Sequence, residues 1–222
     1  MRTSSISKRN SGRWIASVGA ALWVAAAAQA AEPANPEQVA AARALMEETA
    51  TEVVAILKNG ESTSSARRRE LEKVAHARFD FRTMSRLVLR QHWKRLDPTQ
   101  QDDFVAEFTD YLANDYGRRL DRYEDETVEV VEADPKGTRG DVVVGTVIRG
   151  GANDGAVVDY RMKPADEGWR IINVVVEGIS LVHNFADQFR EVINQGGPEA
   201  LLAQLREKNA AARAEAEAGA DA

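Results

Sequence analysis

No cysteine occurs among the 222 residues. That excludes a disulfide framework and every cysteine-based nucleophile or metal cluster, and it leaves packing to hold the fold. Histidine is scarce too. His76, His92 and His183 are the three present; they fall in separate segments with no His-Glu-x-x-His spacing, so each reads as structural or solvated. No phosphate-cradling glycine loop, internal repeat or inter-domain linker is found. Basic charge is in deficit: 29 Lys and Arg stand against 35 Asp and Glu, which makes the chain a poor candidate for nucleic acid or for broad adsorption to anionic lipid.

Outside the first thirty residues there is no apolar run long enough to cross a membrane, which takes about 20 residues. Within them, Arg2, Lys8, Arg9 and Arg13 precede an apolar segment from Trp14 to Ala28, and Ala28-Gln29-Ala30 is a small-x-small cleavage pattern. Residues 1–30 read as a signal peptide cleaved after Ala30, which sends the chain out of the cytoplasm, to a bacterial periplasm. Removing its four basic residues from 29 leaves 25 against 35 acidic, a mature balance of −10.

What is present is a sequence of well-signalled elements. Asn35-Pro36-Glu37-Gln38 supplies a capping asparagine, a proline at the first helical position and a glutamine three residues after the cap, and Asp97-Pro98-Thr99-Gln100 repeats the pattern. The first predicts a helix up to Gly60, about 36 Å long at 1.5 Å per residue. The second opens a helix with Phe104, Phe108, Leu112 and Leu120 on one stripe and Tyr111, Tyr116 and Tyr123 beside it. Between them, Asp80 is expected to cap a short helix carrying Met84, Leu87, Val88 and Leu89. Arg67, Arg68 and Arg69 read as a solvated face.

Valine-rich segments follow at Thr127–Glu132 and Asp141–Arg149, then Gly155–Lys163, whose alternation turns Val158, Tyr160 and Met162 inward. Trp169–Val176 is apolar on both faces and therefore predicts a strand covered on both. Beyond Glu177-Gly178, Val182, Phe185, Phe189 and Val192 recur at the helical period. A helix over Ile179–Asn194, a Gly196-Gly197 break, a helix from Pro198 and an unstructured Ala/Glu tail over 210–222 complete the chain. Four strands on short turns predict an antiparallel meander, so residues 31–209 read as one α+β domain with helices first, sheet second and helices last.

Several of these segments together resemble a known family. Phe79-Asp80-Phe81 with Met84, Trp93, Phe104 and Phe108 begins the match. It continues through Trp169 to Val176-Glu177-Gly178-Ile179-Ser180-Leu181 and Asn184 to Phe189. The chain from about Glu37 to Lys208 is similar to the periplasmic phospholipid-binding family MlaC, also called the toluene-tolerance family. Two positions depart: Arg90 stands where the family often has glycine, and Ala186 where an arginine commonly follows the aromatic.

The resemblance implies a four-stranded curved antiparallel sheet covered by N-terminal and C-terminal helices and enclosing an apolar cavity, a cone of the NTF2-like type. Its function would be to carry a two-chain phospholipid between an outer-membrane lipoprotein–porin complex and an inner-membrane ABC transporter with its periplasmic substrate-binding ring, maintaining outer-membrane lipid asymmetry. No catalytic residue, cofactor or metal is implied. The acyl chains would lie against Phe81, Met84 and Val88, against Phe104, Phe108, Tyr111 and Leu112 of the long helix, and against Val144, Val158, Tyr160 and Met162 of the middle strands. Ile172, Val174 and Ile179 would close the cavity around the last strand. A hopanoid is the alternative cargo. An apolar-pocket enzyme on a similar cone, or a chaperone with an exposed aromatic surface, are the competing classes.

Overall fold

The computed structural model describes residues 32–120, 123, 125–137 and 139–220; the expected signal peptide lies outside the described residues. Helix α1 (Pro36–Lys58) starts on a full capping box, with the Gln38 amide donating to Asn35 Oδ1 and the Asn35 amide to Gln38 Oε1, both at 2.9 Å. It is followed by α2 (Ser64–Arg78), α3 (Phe81–Leu89), a 3₁₀ helix (Arg90–Arg95) and α4 (Pro98–Leu120). The entry to α4 repeats the reciprocal bonds, between Asp97 and Gln100 at 2.9 Å.

The sheet is antiparallel in the order β1 (Thr127–Lys136), β2 (Asp141–Arg149), β3 (Val157–Ala165), β4 (Gly168–Val176) and β5 (Ile179–Ser180). Its five strands correct the expected four. Glu177 at φ 49° and Gly178 at φ 77° make a tight two-residue hairpin turn, so β4 folds back into a two-residue strand before the last helix begins. A strand that short leaves no periodic trace in a sequence. Strand β1 also runs past its expected end at Glu132, because an irregularity at Val131 restores the pairing and Pro135 sits opposite Val142 on an edge strand, where a missing N–H is tolerated. In β4, Ile172 is the extra residue of a bulge, with Arg161 opposite Asn173 and Met162 opposite Ile171.

Helix α5 (Leu181–Ala220) is two helices joined at Gly197, whose φ 78° and ψ 178° suit glycine alone, with Pro198 starting the second arm. That arm continues past residue 210, where an unstructured tail was expected. Ala and Glu are strong helix formers, and the arm is clamped to α4 through Arg206 to Asp103 at 2.7 Å and Arg213 to Asp110 at 2.6 Å. Between these pairs the buried Asn209 amide donates to Glu107 O and Oε2 at 2.8 and 2.7 Å.

Two apolar clusters form the interior. One is helical, built by α3, α4 and α5 around Met84, Phe104, Phe108, Phe185, Phe189 and Leu201. The other lies between α1 and the sheet, with Ala42 and Met46 against Val142, Val144, Met162, Trp169 and Ile171. Arg43 fixes α1 on the sheet by donating to the Val130 carbonyl at 2.7 Å, beside the β1 irregularity.

Candidate functional site

The residues expected to line one cavity are distributed between these clusters. Met84, Val88, Phe104, Phe108 and Leu112 are buried in the helical cluster, with Phe81 and Tyr111 packed against it. Val144 and Met162 are buried in the sheet cluster, with Tyr160 and Val174 packed against it. Val158 and Ile172 are buried yet belong to neither. Ile179 is 65% exposed, which corrects its inward placement: as part of the β4–β5 hairpin it follows a turn instead of opening a helix.

Phe79, absent from the expected set, packs against both clusters. The α2–α3 junction puts it there. Phe79 ends α2 and bridges to Ile171 of β4, and the next amide, of Asp80, donates to the Ile171 carbonyl at 2.9 Å. The Phe-Asp-Phe spacing then stacks Phe79 on Phe81 at 5.6 Å between ring centroids.

Beside this junction lies a cleft of about 600 Å³. It is lined by the apolar Phe79, Phe81, Val105 and Ala106 and by the polar His76, Asp80, Arg82, Asp102 and Arg170, among others. Arg82 pairs with Asp102 at 2.5 Å and lies over the Trp93 ring at 5.5 Å. The His76 ring meets Phe81 edge-on at 5.5 Å. The polar lining residues come from α2, α3, α4 and β4, so no local pattern in the sequence could have grouped them.

Asp80 caps α3 as expected, accepting from the Thr83 amide at 2.8 Å and hydroxyl at 2.7 Å, while Lys163 of β3 reaches it at 2.5 Å. Burial pushes its carboxyl upward, but the Lys163 ammonium and the two Thr83 donors outweigh burial and hold the pKa below the ordinary 3.8. A depressed carboxylate stabilises the fold above its ordinary value and loses that contribution as pH falls through the folded value. Asp80→Ala is therefore expected to cost about 1–2 kcal/mol at neutral pH and to remove part of the acid-side loss of stability. Urea unfolding across acid pH checks this; a variant with wild-type stability and an unchanged pH profile would show the cap to be idle.

On the sheet, burial pushes the Tyr160 hydroxyl up to about 12, partly offset by its hydrogen bond with Thr146, so the phenol is neutral throughout the physiological range. Among the described residues no three His, Cys, Asp or Glu side chains gather as metal ligands, and His76, His92 and His183 stand on α2, the 3₁₀ helix and α5.

The sequence profile of the family described as MlaC protein matches residues 47–207. The chain belongs to the MlaC family. Among relatives, it is 32% identical over 108 residues to the toluene tolerance protein ttg2D of Pseudomonas putida, an alignment covering 47% of this chain and 48% of that protein. The chain thus spans about half the length of this curated relative. Among solved structures, it superposes on a phospholipid-binding protein from Ralstonia solanacearum, determined in complex with a phospholipid, with a TM-score of 0.69 over 78% of this chain and 98% of that one. At 22% identity this establishes a shared fold.

Proposed function

We propose that this chain is a periplasmic phospholipid carrier, exported by cleavage after Ala30. It would shuttle lipid between an outer-membrane lipoprotein–porin complex and an inner-membrane ABC transporter with its periplasmic substrate-binding ring, and so maintain outer-membrane lipid asymmetry. Family membership supports the reading, as does the fold shared with a protein solved on a phospholipid.

The observation that carries it in this chain is the division of the interior into two apolar clusters that share Phe79, with a cleft lined in part by that ring. A two-chain lipid with ~30 methylenes costs roughly 24 kcal/mol to hold in water at ~0.8 kcal/mol per CH₂. A carrier must therefore take in the chains almost completely. Parting the two layers at Phe79 would widen the cleft toward Val158 and Ile172 while leaving each cluster packed within itself. Release would need partners that hold the layers apart or offer the chains a second apolar path.

Solvent extraction and mass spectrometry of protein purified from its own periplasm test this. A two-chain phospholipid is expected in near-stoichiometric amount. A hopanoid in its place would change the cargo, and lipid-free protein that takes up none on incubation would end the carrier reading.

A further inference from the structure

Exposed cations elsewhere among the described residues are divided: Lys73, Arg149, Arg190, Arg206 and Arg213 each lie against a carboxylate, whereas Lys58, Arg69, Lys136 and Arg139 have no ion pair. The segment 81–96 concentrates unpaired ones. It contains no acidic residue and carries Arg82, Arg86, Arg90, Lys94 and Arg95, all exposed, on α3 and the 3₁₀ helix. Arg82 is held by Asp102, but Arg86, Arg90, Lys94 and Arg95 have no side-chain hydrogen bond or ion pair among the described residues. Met84, Val88, Leu89 and Trp93 bury the inner side of the same segment, whereas Leu87, between the arginines, is 36% exposed. The nearest carboxylates in the chain are Asp80 and Asp97, which cap α3 and α4, and Asp102.

Arg90 adds an independent observation. It sits at φ 51° and ψ −122°, a conformation that only glycine adopts without strain. No polar contact of its side chain offsets that strain within the described residues. Glycine would make the same bend more cheaply, so what the arginine contributes there is a cation turned to solvent.

We propose that the Arg86–Arg90–Lys94–Arg95 ridge docks the protein on an anionic phospholipid bilayer. It rests on the carrier reading only for its purpose, which is to bring the cleft against the headgroups, since Arg82, which lines the cleft, stands on α3 with Arg86. Attraction to a charged surface decays over a Debye length of about 8–10 Å, so cations at contact outweigh acidic groups on the far side of the molecule. Leu87 is placed to enter the headgroup boundary among them. Among the described residues no helix is long and apolar enough to cross a membrane, and the contact is peripheral and reversible. An acidic protein would instead be expected to engage these arginines as individual bidentate pairs; unpartnered cations spread around an exposed leucine suit a plane of phosphates better.

Cosedimentation of the purified protein with phosphatidylcholine vesicles, with and without phosphatidylglycerol, tests the assignment. Wild type is expected to bind only the anionic vesicles and to release as salt rises. Each charge near such a surface is worth roughly five-fold in partitioning, so the triple change Arg86→Gln, Arg90→Gln and Lys94→Gln should weaken binding about a hundred-fold. Arg90→Gly alone should weaken it about five-fold with a Tm no lower than wild type, a combination that a structural role for Arg90 would not produce. The proposal is overturned by wild type that ignores anionic vesicles, by a triple variant that binds as wild type does, by binding to polyglutamate in place of vesicles, or by a lower Tm for Arg90→Gly. Mass spectrometry of lipid in the same preparations separates the two readings: protein without cargo that still binds through the ridge would end the carrier reading and leave the docking surface standing.

Discussion

Phe108→Ala is expected to destabilise the delipidated protein by about 3–5 kcal/mol, the range for removing a fully buried phenylalanine. Phe108 is 0% exposed. Its ring lies 5.8 Å from Phe104, 5.4 Å from Phe185 and 5.9 Å from Phe189, the last two edge-on, so one truncation removes two aromatic contacts across the seam between α4 and α5 and a third within α4. At about 2–4 °C per kcal/mol for a chain of this size, Tm should fall by roughly 6–20 °C. Calorimetry of lipid-free protein checks it. A loss below about 1 kcal/mol would mean that Phe108 borders space instead of packed neighbours, and would return it to the acyl-chain lining that the sequence suggested.

Val158→Trp is expected to behave in the opposite way. Val158 is 7% exposed but lies in neither cluster, and its β4 partner Val176 is 37% exposed, which puts it at the margin of the buried sheet face. In a close-packed core the added bulk would cost about 1–3 kcal/mol by forcing rotamers and backbone to shift. At the proposed chain-binding surface that cost should be nearly absent once lipid is removed, while the indole takes volume that the acyl chains need. Delipidated Val158→Trp should therefore melt close to delipidated wild type and retain several-fold less lipid on purification. A variant that melts far lower with its lipid content intact would place Val158 in a packed core and move the chain-binding surface off this face of β3.

Together the two variants ask which inward-facing side chains pack and which yield. The sequence reading placed Phe108 and Val158 in a single set because both lie on apolar stripes. In the structure Phe108 belongs to a cluster closed by its own neighbours, and Val158 stands outside either cluster. Ile179 shows the same limit from the other side: the apolar run that contains it continues through a turn, and the side chain emerges into solvent.

The sequence by itself determined where α1 and α4 begin and which faces of β3 and of the helix after Ser180 turn inward. The capping residues Asn35 and Gln38, and Asp97 and Gln100, bond to partners three positions away. The alternation in β3 and the helical period through Val182, Phe185 and Phe189 likewise follow from backbone geometry that neighbours in the chain already define. Only the tertiary structure decided the rest: that the inward faces divide into two clusters, that Phe79 joins both, that Ile172 is the extra residue of a bulge, and that His76, Arg82 and Arg170 meet at one cleft. Those outcomes depend on contacts between distant segments, such as Arg206 on Asp103 at a separation of 103 residues. A periodic pattern reports that a side chain faces inward; which interior it enters is set by how the layers close over one another.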